Sequence, residues 1–164
     1  VKGHNAHTIA QIKDAIRDGL RAITNVFADR SLVAGAGAFE LAAHVHLHTW
    51  NQSTTGRLRL GVAAFADALL IIPKVLAANS GFDSQDTLQA LLEAARKSSG
   101  TPIGLDISSG KPTAPTACGV WDNYRVKRQF LHLGSIIATK LLLVDEVMRA
   151  GKNMGGGQPQ GPPQ

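Results

Sequence analysis

The chain has 164 residues, of which 44% are hydrophobic and 18% are charged, a composition typical of one mainly helical domain of ordinary size. Its single cysteine, Cys118, excludes an intrachain disulfide framework and a cysteine-based zinc site, and it indicates a reducing compartment. The net charge is +5, but the cations are scattered and no basic block is interleaved with aromatic residues, so the pattern disfavours nucleic-acid binding.

The apolar segments are too short to predict a membrane helix. The longest, residues 62–72, is interrupted by Asp67 and followed by Pro73, so it predicts a core helix. No basic leader followed by an apolar run opens the chain, so nothing indicates secretion. Because the chain begins at Val1, we expect it to be part of a longer polypeptide.

The first predicted element is a helix over residues 9–27. Its apolar residues recur at intervals of three and four positions, namely Ile9, Ile12, Ile16, Leu20, Ile23 and Phe27. Thr8 and Gln11 form a capping-box pattern that predicts the start of this helix. Asp18 falls opposite the apolar stripe, so we expect its carboxylate to face solvent or a cleft.

A strand-like entry into a second helix, over residues 38–50, is predicted next. Gly35, Ala36 and Gly37 stand at the junction, where two glycines allow a sharp turn and close approach of the backbone to a ligand. The amides at the helix start favour an anion or a hydroxyl, although an ordinary turn explains the same residues. Ala36 is compatible with an ordinary negative φ. Glu40 occupies the place of the third glycine of a dinucleotide fingerprint, which excludes that motif.

Two further helices follow. One covers residues 58–79, with a bend expected at Pro73. The other begins after Asp83, its predicted N-cap, and ends at the Ser-Ser-Gly sequence of residues 98–100.

The last third of the chain predicts a hairpin, a helix and a tail. Short apolar runs in residues 101–117 predict a small β-hairpin. A long helix is predicted over residues 123–150, with Asp122 as a candidate N-cap. Residues 152–164 are rich in Gly, Pro and Gln and too poor in apolar groups to fold.

Two patterns that suggest ligand chemistry do not hold. Residues 104–111 differ from a P-loop because Pro112 stands where the magnesium-binding Ser or Thr is required. On a helix, only His44 and His48 of the three alternating histidines share a face, and no carboxylate or thiol completes a metal-ligand set. We therefore expect no metal site, and Asp67 is interpreted as a solvated charge.

Five ordered blocks of sequence resemble the C-terminal part of a group II chaperonin subunit. They are DAIRDGL at 14–20, VAGAGAFE at 33–40, AFADALLIIPK at 64–74, NSGFD at 79–83, and GVWDN at 119–123 with Val126 and Lys127. Ordered blocks along most of a chain are far more specific than any single motif.

The resemblance implies a mainly α fold, the C-terminal half of a chaperonin equatorial domain with long helices and a small β-hairpin. Residues 1–30 would be the returning segment of the intermediate domain. Residues 31–151 would belong to the equatorial ATP-binding domain, and residues 152–164 would form a disordered tail.

The resemblance also implies the residues of an ATP site. Asp18 matches the family's catalytic aspartate, which positions the water that attacks the γ-phosphate. Gly35, Ala36 and Gly37 match a three-glycine loop around the ribose and adenine edge, with Ala36 in place of the central glycine. The remaining matches are Asp122 for the ribose hydroxyls, Lys127 for a further nucleotide contact, and Asp106 and Ile107 for the adenine.

ATP or ADP with Mg²⁺ is the implied cofactor, and its magnesium ligands are expected mainly in the N-terminal half of such subunits. The phosphate-gripping Gly-Asp-Gly-Thr-Thr segment of that half does not occur in this sequence. We therefore expect no ATP turnover from this chain alone, and we expect exposed apolar helix faces.

The implied partners are paralogous subunits in a double eight-membered ring and unfolded client proteins such as actin and tubulin, in the cytoplasm, without nucleic acid or membrane. The alternative is a self-sufficient helical protein-interaction module without nucleotide chemistry.

Overall fold

The computed structural model describes residues 1–98 and 100–148. The chain divides into two units, one from Val1 to Arg128 and one that begins at Gln129. The elements are α1 (Ala6–Asp29), β1 (Leu32–Ala34), α2 (Ala38–Ser53), α3 (Leu58–Leu69), α4 (Ile71–Asn79), α5 (Ser84–Lys97), β2 (Gly104–Leu105), β3 (Pro112–Thr113), β4 (Trp121–Asn123) and α6 (Tyr124–Leu142). The predicted mainly helical fold is confirmed.

Helix α1 begins earlier than its sequence pattern predicts. The cap is Asn5, whose Oδ1 accepts the Thr8 amide at 2.8 Å, so the predicted Thr8 cap is wrong. The helix ends where Arg30 adopts a left-handed conformation, with φ 50°. None of its residues is buried, and Phe27 in the apolar stripe is 78% exposed, which confirms the expectation of an exposed apolar face.

An ion pair fixes the end of α1 to the start of α6. Arg125 donates from Nη2 to Oδ1 of Asp29 at 2.6 Å, and its Nε lies 3.1 Å from Oδ2. The hydrogen bond to Asp29 and that carboxylate's charge raise the pKa of Arg125. This bidentate geometry joins the last turn of α1 to the first residues of α6 within the first unit.

The single bent helix predicted over residues 58–79 is two helices in the structure. Pro73 has no amide to donate to the carbonyl of Leu69, and its ring crowds that carbonyl, so the helix is interrupted at Leu70. The Leu70 amide donates to the carbonyl of Asp67 at 3.1 Å instead of reaching back four residues. The segment Leu58–Asn79 is long and apolar enough to cross a membrane, so the prediction that the apolar segments are too short is wrong by that measure. Within the described residues, α3 and α4 pack against α2.

The core lies between α2, α4, α5 and β2. Leu41, Ala77, Leu91 and Leu105 are its buried residues. Helix α5 begins as predicted, because Oδ1 of Asp83 accepts the amides of Gln85 and Asp86 at 2.8 and 2.9 Å. The amide hydrogen bonds from Asp86 and then Gln85 lower the pKa of Asp83.

Two short antiparallel strand pairs complete the first unit. Strand β1 pairs with β4, with Val33 opposite Asp122. Strands β2 and β3 form the predicted hairpin, with Gly104 opposite Thr113. Because β1 leads directly into the turn before α2, the β1–β4 pairing brings Asp122 to that turn.

The start and end of α6 differ from the prediction. Asp122 lies in β4, one residue too early to be its N-cap, so that prediction is wrong. The helix ends at Leu142 rather than at 150, and its last turn tightens as Leu143 and Val144 donate to carbonyls three residues back. Within the second unit, Ile137 and Leu141 of the predicted apolar stripe are exposed. The predicted disordered tail, residues 152–164, lies outside the described residues.

Candidate functional site

A cavity of about 530 Å³ opens in the first unit where the turn before α2 meets the β2–β3 hairpin and β4. Its apolar wall comes from α4 and the hairpin, through Ile72, Leu76, Leu105 and Ile107. Its polar groups come from Asp106, Asp122 and Lys127. Six of the eight residues assigned to a nucleotide site by the family resemblance line it, namely Ala36, Gly37, Asp106, Ile107, Asp122 and Lys127.

The turn that precedes α2 is held by backbone hydrogen bonds from two sides. The Gly35 amide donates to the carbonyl of Val120 at 3.1 Å, and the carbonyl of Ala36 accepts the Leu105 amide at 2.9 Å. Ala36 has φ 55°, so the expectation of an ordinary negative φ is wrong. Gly37 is left-handed as well, with φ 75°, so two consecutive left-handed residues lead the chain into the helix.

A side chain at either glycine position would make tight contacts with close neighbours. A Cβ at Gly37 would lie 3.1 Å from Cβ of Pro73, and the positive φ adds strain. A Cβ at Gly35 would lie 3.1 Å from Cγ1 of Val120 and 3.5 Å from Cγ of Asp122. Gly35 therefore lies next to the Asp122 carboxylate, although Gly35 is not among the residues that line the cavity.

Lys127 is shared between two carboxylates at the cavity wall. Its Nζ lies 2.6 Å from Oε1 of Glu40 and 2.9 Å from Oδ2 of Asp122. Burial lowers the pKa of Lys127, but the hydrogen bonds and charges of Glu40 and Asp122 outweigh burial and raise that pKa. The ammonium therefore stays charged and fixes the Asp122 carboxylate, 40% of whose side chain is exposed.

Glu40 is a site residue that sequence reasoning missed. Its side chain is 1% exposed, and its Oε2 atom has no hydrogen-bond partner among the described residues. The sequence offered one signal, a carboxylate three residues after Gly37 in the first turn of α2, where acidic groups suit the helix dipole. Its partner Lys127 lies too far along the chain for any spacing rule to pair them.

The hairpin acid Asp106 organises its own loop. Its Oδ2 accepts the Ser109 hydroxyl at 2.6 Å, and its Oδ1 accepts the amide and hydroxyl of Ser108. Hydrogen bonds from Ser109 first, and then from Ser108, lower the pKa of Asp106 to about 2. The tip of the hairpin therefore presents Ile107, which is 63% exposed, at the edge of the cavity.

Asp18 stands apart from this group. It is exposed on α1 and is not among the residues that line the cavity. Along the α1 axis, Asp18 lies roughly 16 Å from Asp29, the residue that pairs with Arg125, at a rise of about 1.5 Å per residue. Its catalytic role stays a prediction that depends on a movement of α1.

A second group of polar side chains lies between α2 and α3. One ring nitrogen each from His44 and His48 and one oxygen of Asp67 lie within 4.8 Å of one another. The expectation that no carboxylate completes a set with these histidines is wrong, because α3 packs against α2 and brings Asp67 to them.

The fold is that of a chaperonin chain. The model of the TCP-1/cpn60 chaperonin family matches residues 1–152, and the chain belongs to that family. T-complex protein 1 subunit zeta-2 of Homo sapiens is 56% identical over 151 residues, and the same subunit of Mus musculus is 53% identical. Each alignment covers 92% of this chain and 28% of the relative, so the chain spans little more than a quarter of their length.

These relatives agree with finer features of the sequence. Residues 35–37, 119–124 and 143–151 most resemble the zeta subunit of the eukaryotic cytosolic chaperonin TRiC, and the two zeta-2 relatives confirm that prediction. A solved structure described as the open state monomer of a group II chaperonin from Methanococcoides burtonii is 27% identical, with a TM-score of 0.72. The match covers 87% of this chain and 35% of the chain in that structure. It confirms the chaperonin fold.

Proposed function

We propose that this chain supplies the nucleoside-side contacts and a water-positioning carboxylate to the ATP site of a chaperonin subunit, in which ATP hydrolysis drives protein folding. The observation that carries the proposal is the half-exposed Asp122 carboxylate, fixed by Lys127 at the cavity wall and adjacent to Gly35.

The cavity suits the nucleoside end of a nucleotide in size and chemistry. Its volume of about 530 Å³ falls inside the range of roughly 300–1,000 Å³ typical of small-molecule sites. The apolar wall formed by Ile72, Leu76 and Ile107 suits a purine ring. Oδ2 of Asp122 accepts a hydrogen bond from Nζ of Lys127. Because a carboxylate has about four lone-pair positions, Asp122 can also accept hydrogen bonds from the ribose hydroxyls.

The backbone at residues 35–37 would lie along the ribose and adenine edge. Ala36 and Gly37, with φ 55° and 75°, turn the chain sharply and line the cavity, which supports close approach of this backbone to a ligand. Ala36 lines the cavity at the place where the family has a glycine.

Asp18 would orient and polarise the attacking water. Phosphoryl transfer depends mainly on positioning and electrostatics, so a carboxylate that accepts a hydrogen bond from that water is sufficient for this role. The similarity to a structure described as an open state supports a cycle in which α1 moves toward the cavity. Mg²⁺ would be held mainly by residues outside this chain.

The rest of the proposal follows from the family. Residues 1–30 would be the intermediate-domain segment, residues 31–151 the equatorial part and residues 152–164 the tail. The subunit would assemble with paralogous subunits in a double eight-membered ring in the cytosol and act on unfolded clients such as actin and tubulin.

Cys118 provides a direct test, because it lines the cavity, is exposed, and is the single cysteine of the chain. Adenosine and ADP should both slow alkylation of Cys118 by iodoacetamide. Since the phosphate-gripping segment is absent from this sequence, the two ligands should protect similarly, and removal of Mg²⁺ should change little.

Asp122→Asn should abolish this protection, because the amide no longer offers a carboxylate to the ribose. Asp86→Asn is the matched control, since Asp86 is an exposed acid of α5 outside the cavity. Equal alkylation rates with and without adenosine would contradict the nucleoside site and favour the interaction module. Undiminished protection in Asp122→Asn would contradict the role given to that carboxylate.

A further inference from the structure

The cluster of His44, His48 and Asp67 lies on a part of α2 and α3 that the nucleotide proposal does not use. The two histidines are one helical turn apart on α2, with ring centroids separated by 4.6 Å. Oδ1 of Asp67 lies 3.4 Å from Nε2 of His48 and 3.8 Å from Nδ1 of His44. We propose that these three side chains bind a divalent transition metal of the Zn²⁺ type between the two helices.

The buried His44 is already oriented as metal-binding histidines are. Its Nδ1 lies 2.9 Å from the carbonyl oxygen of Ala66, and because a carbonyl only accepts, Nδ1 carries the proton. The lone pair is then on Nε2, which is the nitrogen left for a metal. A metal-bound histidine usually donates its other ring N–H to a carbonyl or carboxylate in this way.

The interruption of the helix at Leu70 provides the acceptor for that bond. In an uninterrupted helix the Leu70 amide would donate to Ala66, but here it donates to Asp67. The Ala66 carbonyl is therefore free to accept from His44, and the same local geometry places Asp67 at the end of α3.

His48 and Asp67 have the freedom to complete a coordination shell. Their side chains are 51% and 65% exposed, so small rotations carry no packing cost. Bond lengths of 2.0–2.2 Å in a tetrahedral zinc site put neighbouring ligand atoms about 3.4 Å apart, which matches the 3.4 Å between Oδ1 of Asp67 and Nε2 of His48. The 3.8 Å distance to His44 involves Nδ1, the nitrogen bonded to Ala66, and is not a separation between ligand atoms. Water would occupy the remaining position.

The donor set determines which metals are expected. Two imidazoles and one carboxylate suit Zn²⁺, Co²⁺, Ni²⁺ and Cu²⁺ better than Mg²⁺ or Ca²⁺, which prefer oxygen ligands. Arg96 lines the same surface pocket as the two histidines, and its positive charge opposes a bound cation. Removing that charge should therefore strengthen binding, an effect that a purely structural histidine pair would not show.

Co²⁺ is the probe for the test, because its visible absorption changes when it enters a tetrahedral protein site. We expect the full chain to bind one equivalent and Zn²⁺ to displace it. His48→Gln and Asp67→Asn should each weaken Co²⁺ binding by at least about tenfold. Replacing a residue that only hydrogen-bonds to a metal ligand typically costs about tenfold or more, so replacing a ligand itself should cost at least that much. Both positions are exposed, so folding should persist, as far-UV circular dichroism would verify.

His46→Gln is the matched control, since His46 is an exposed histidine of the same helix outside the cluster. It should leave Co²⁺ affinity unchanged, whereas Arg96→Ala should increase it. The proposal is overturned if Co²⁺ binding survives in Asp67→Asn, or if His46→Gln weakens it as much as His48→Gln does. Failure of the wild-type chain to bind one equivalent of Co²⁺ overturns it as well.

Discussion

Buried Glu40 and partly buried Lys127 form an ion pair across 87 positions of sequence, with 2.6 Å between Oε1 and Nζ. The pair connects the first turn of α2, just after the left-handed turn, to the first turn of α6, just after β4. Because Lys127 also contacts Asp122, the buried Glu40 positions the carboxylate to which we assign the ribose contact. Glu40 is therefore a positioning residue rather than one that touches the nucleotide.

Loss of the Glu40 charge should destabilise the chain and weaken nucleoside binding together. In Glu40→Gln the partly buried ammonium keeps only the partly exposed Asp122, and the loss of a charged hydrogen-bond partner should cost about 1–3 kcal/mol. Urea unfolding of the purified chain would measure the stability loss, and adenosine protection of Cys118 would measure binding.

Lys127→Met and the double variant complete a thermodynamic cycle with Glu40→Gln. Because the two residues interact directly, the double variant should be more stable than the sum of the single effects predicts. Additive effects would show that Glu40 acts without Lys127, contrary to the geometry.

Ala36→Gly should stabilise the chain. An L-residue in the left-handed region costs 1–2 kcal/mol, and part of the gain is lost to the greater freedom of glycine in the unfolded chain, which leaves about 1 kcal/mol. The control is Ala90→Gly, the same chemical change at an exposed position in the interior of α5, which should destabilise by about 0.5–1 kcal/mol. A destabilised Ala36→Gly chain would mean that the methyl contacts outweigh the backbone strain.

Local sequence patterns were sufficient for most of the helices and failed where distant atoms decide the outcome. The spacing of apolar residues located α1, and the cap at Asp83 located α5, because both signals lie within a few residues. The break at Leu70 was missed because Pro73 acts on a carbonyl four residues earlier, and a bend and a break have the same sequence pattern. The cap at Asn5 was missed because Thr8 offered a competing pattern.

Most residues of the candidate site were predicted from the family resemblance. Residue type and spacing within a few positions indicated only part of the site. The two glycines indicated a turn, but the left-handed φ of Ala36 follows from how the carbonyl of Ala36 meets β2, which no local pattern reveals. Glu40 and Asp67 were missed for a related reason. The role of each depends on a partner residue on another element, and residue spacing along the chain does not indicate which helices pack together.

The Asp106 carboxyl should titrate far below an ordinary aspartate. Its pKa of about 2 in the folded chain lies below the value of 3.8 for a free side chain, so the group binds fewer protons folded than unfolded at intermediate pH. Its contribution to stability is therefore present above about pH 4 and is lost as the pH falls through about 2. Carbon-13 NMR of the carboxyl would follow the titration directly.

Ser109→Ala should raise that pKa, because it removes the largest of the hydrogen bonds to the carboxylate. In Asp106→Asn, the part of the stability loss at low pH that comes from this carboxyl should disappear, as urea unfolding at several pH values would show. An Asp106 carboxyl that titrates at its ordinary value would show that the serine hydrogen bonds do not persist in solution.

Asp18→Ala, introduced into the full-length subunit, should abolish ATP turnover and leave nucleotide affinity within a few-fold. The carboxylate lies outside the cavity that we assign to the nucleoside, so its removal should affect the chemical step rather than binding. Asp14→Ala is the matched control, an exposed acid one turn earlier on α1 that contacts Arg17 at 3.8 Å. Turnover should be measured at saturating MgATP, with affinity from equilibrium binding of ADP. Turnover that survives in Asp18→Ala, or falls equally in Asp14→Ala, would show that α1 does not deliver this carboxylate to the attacking water.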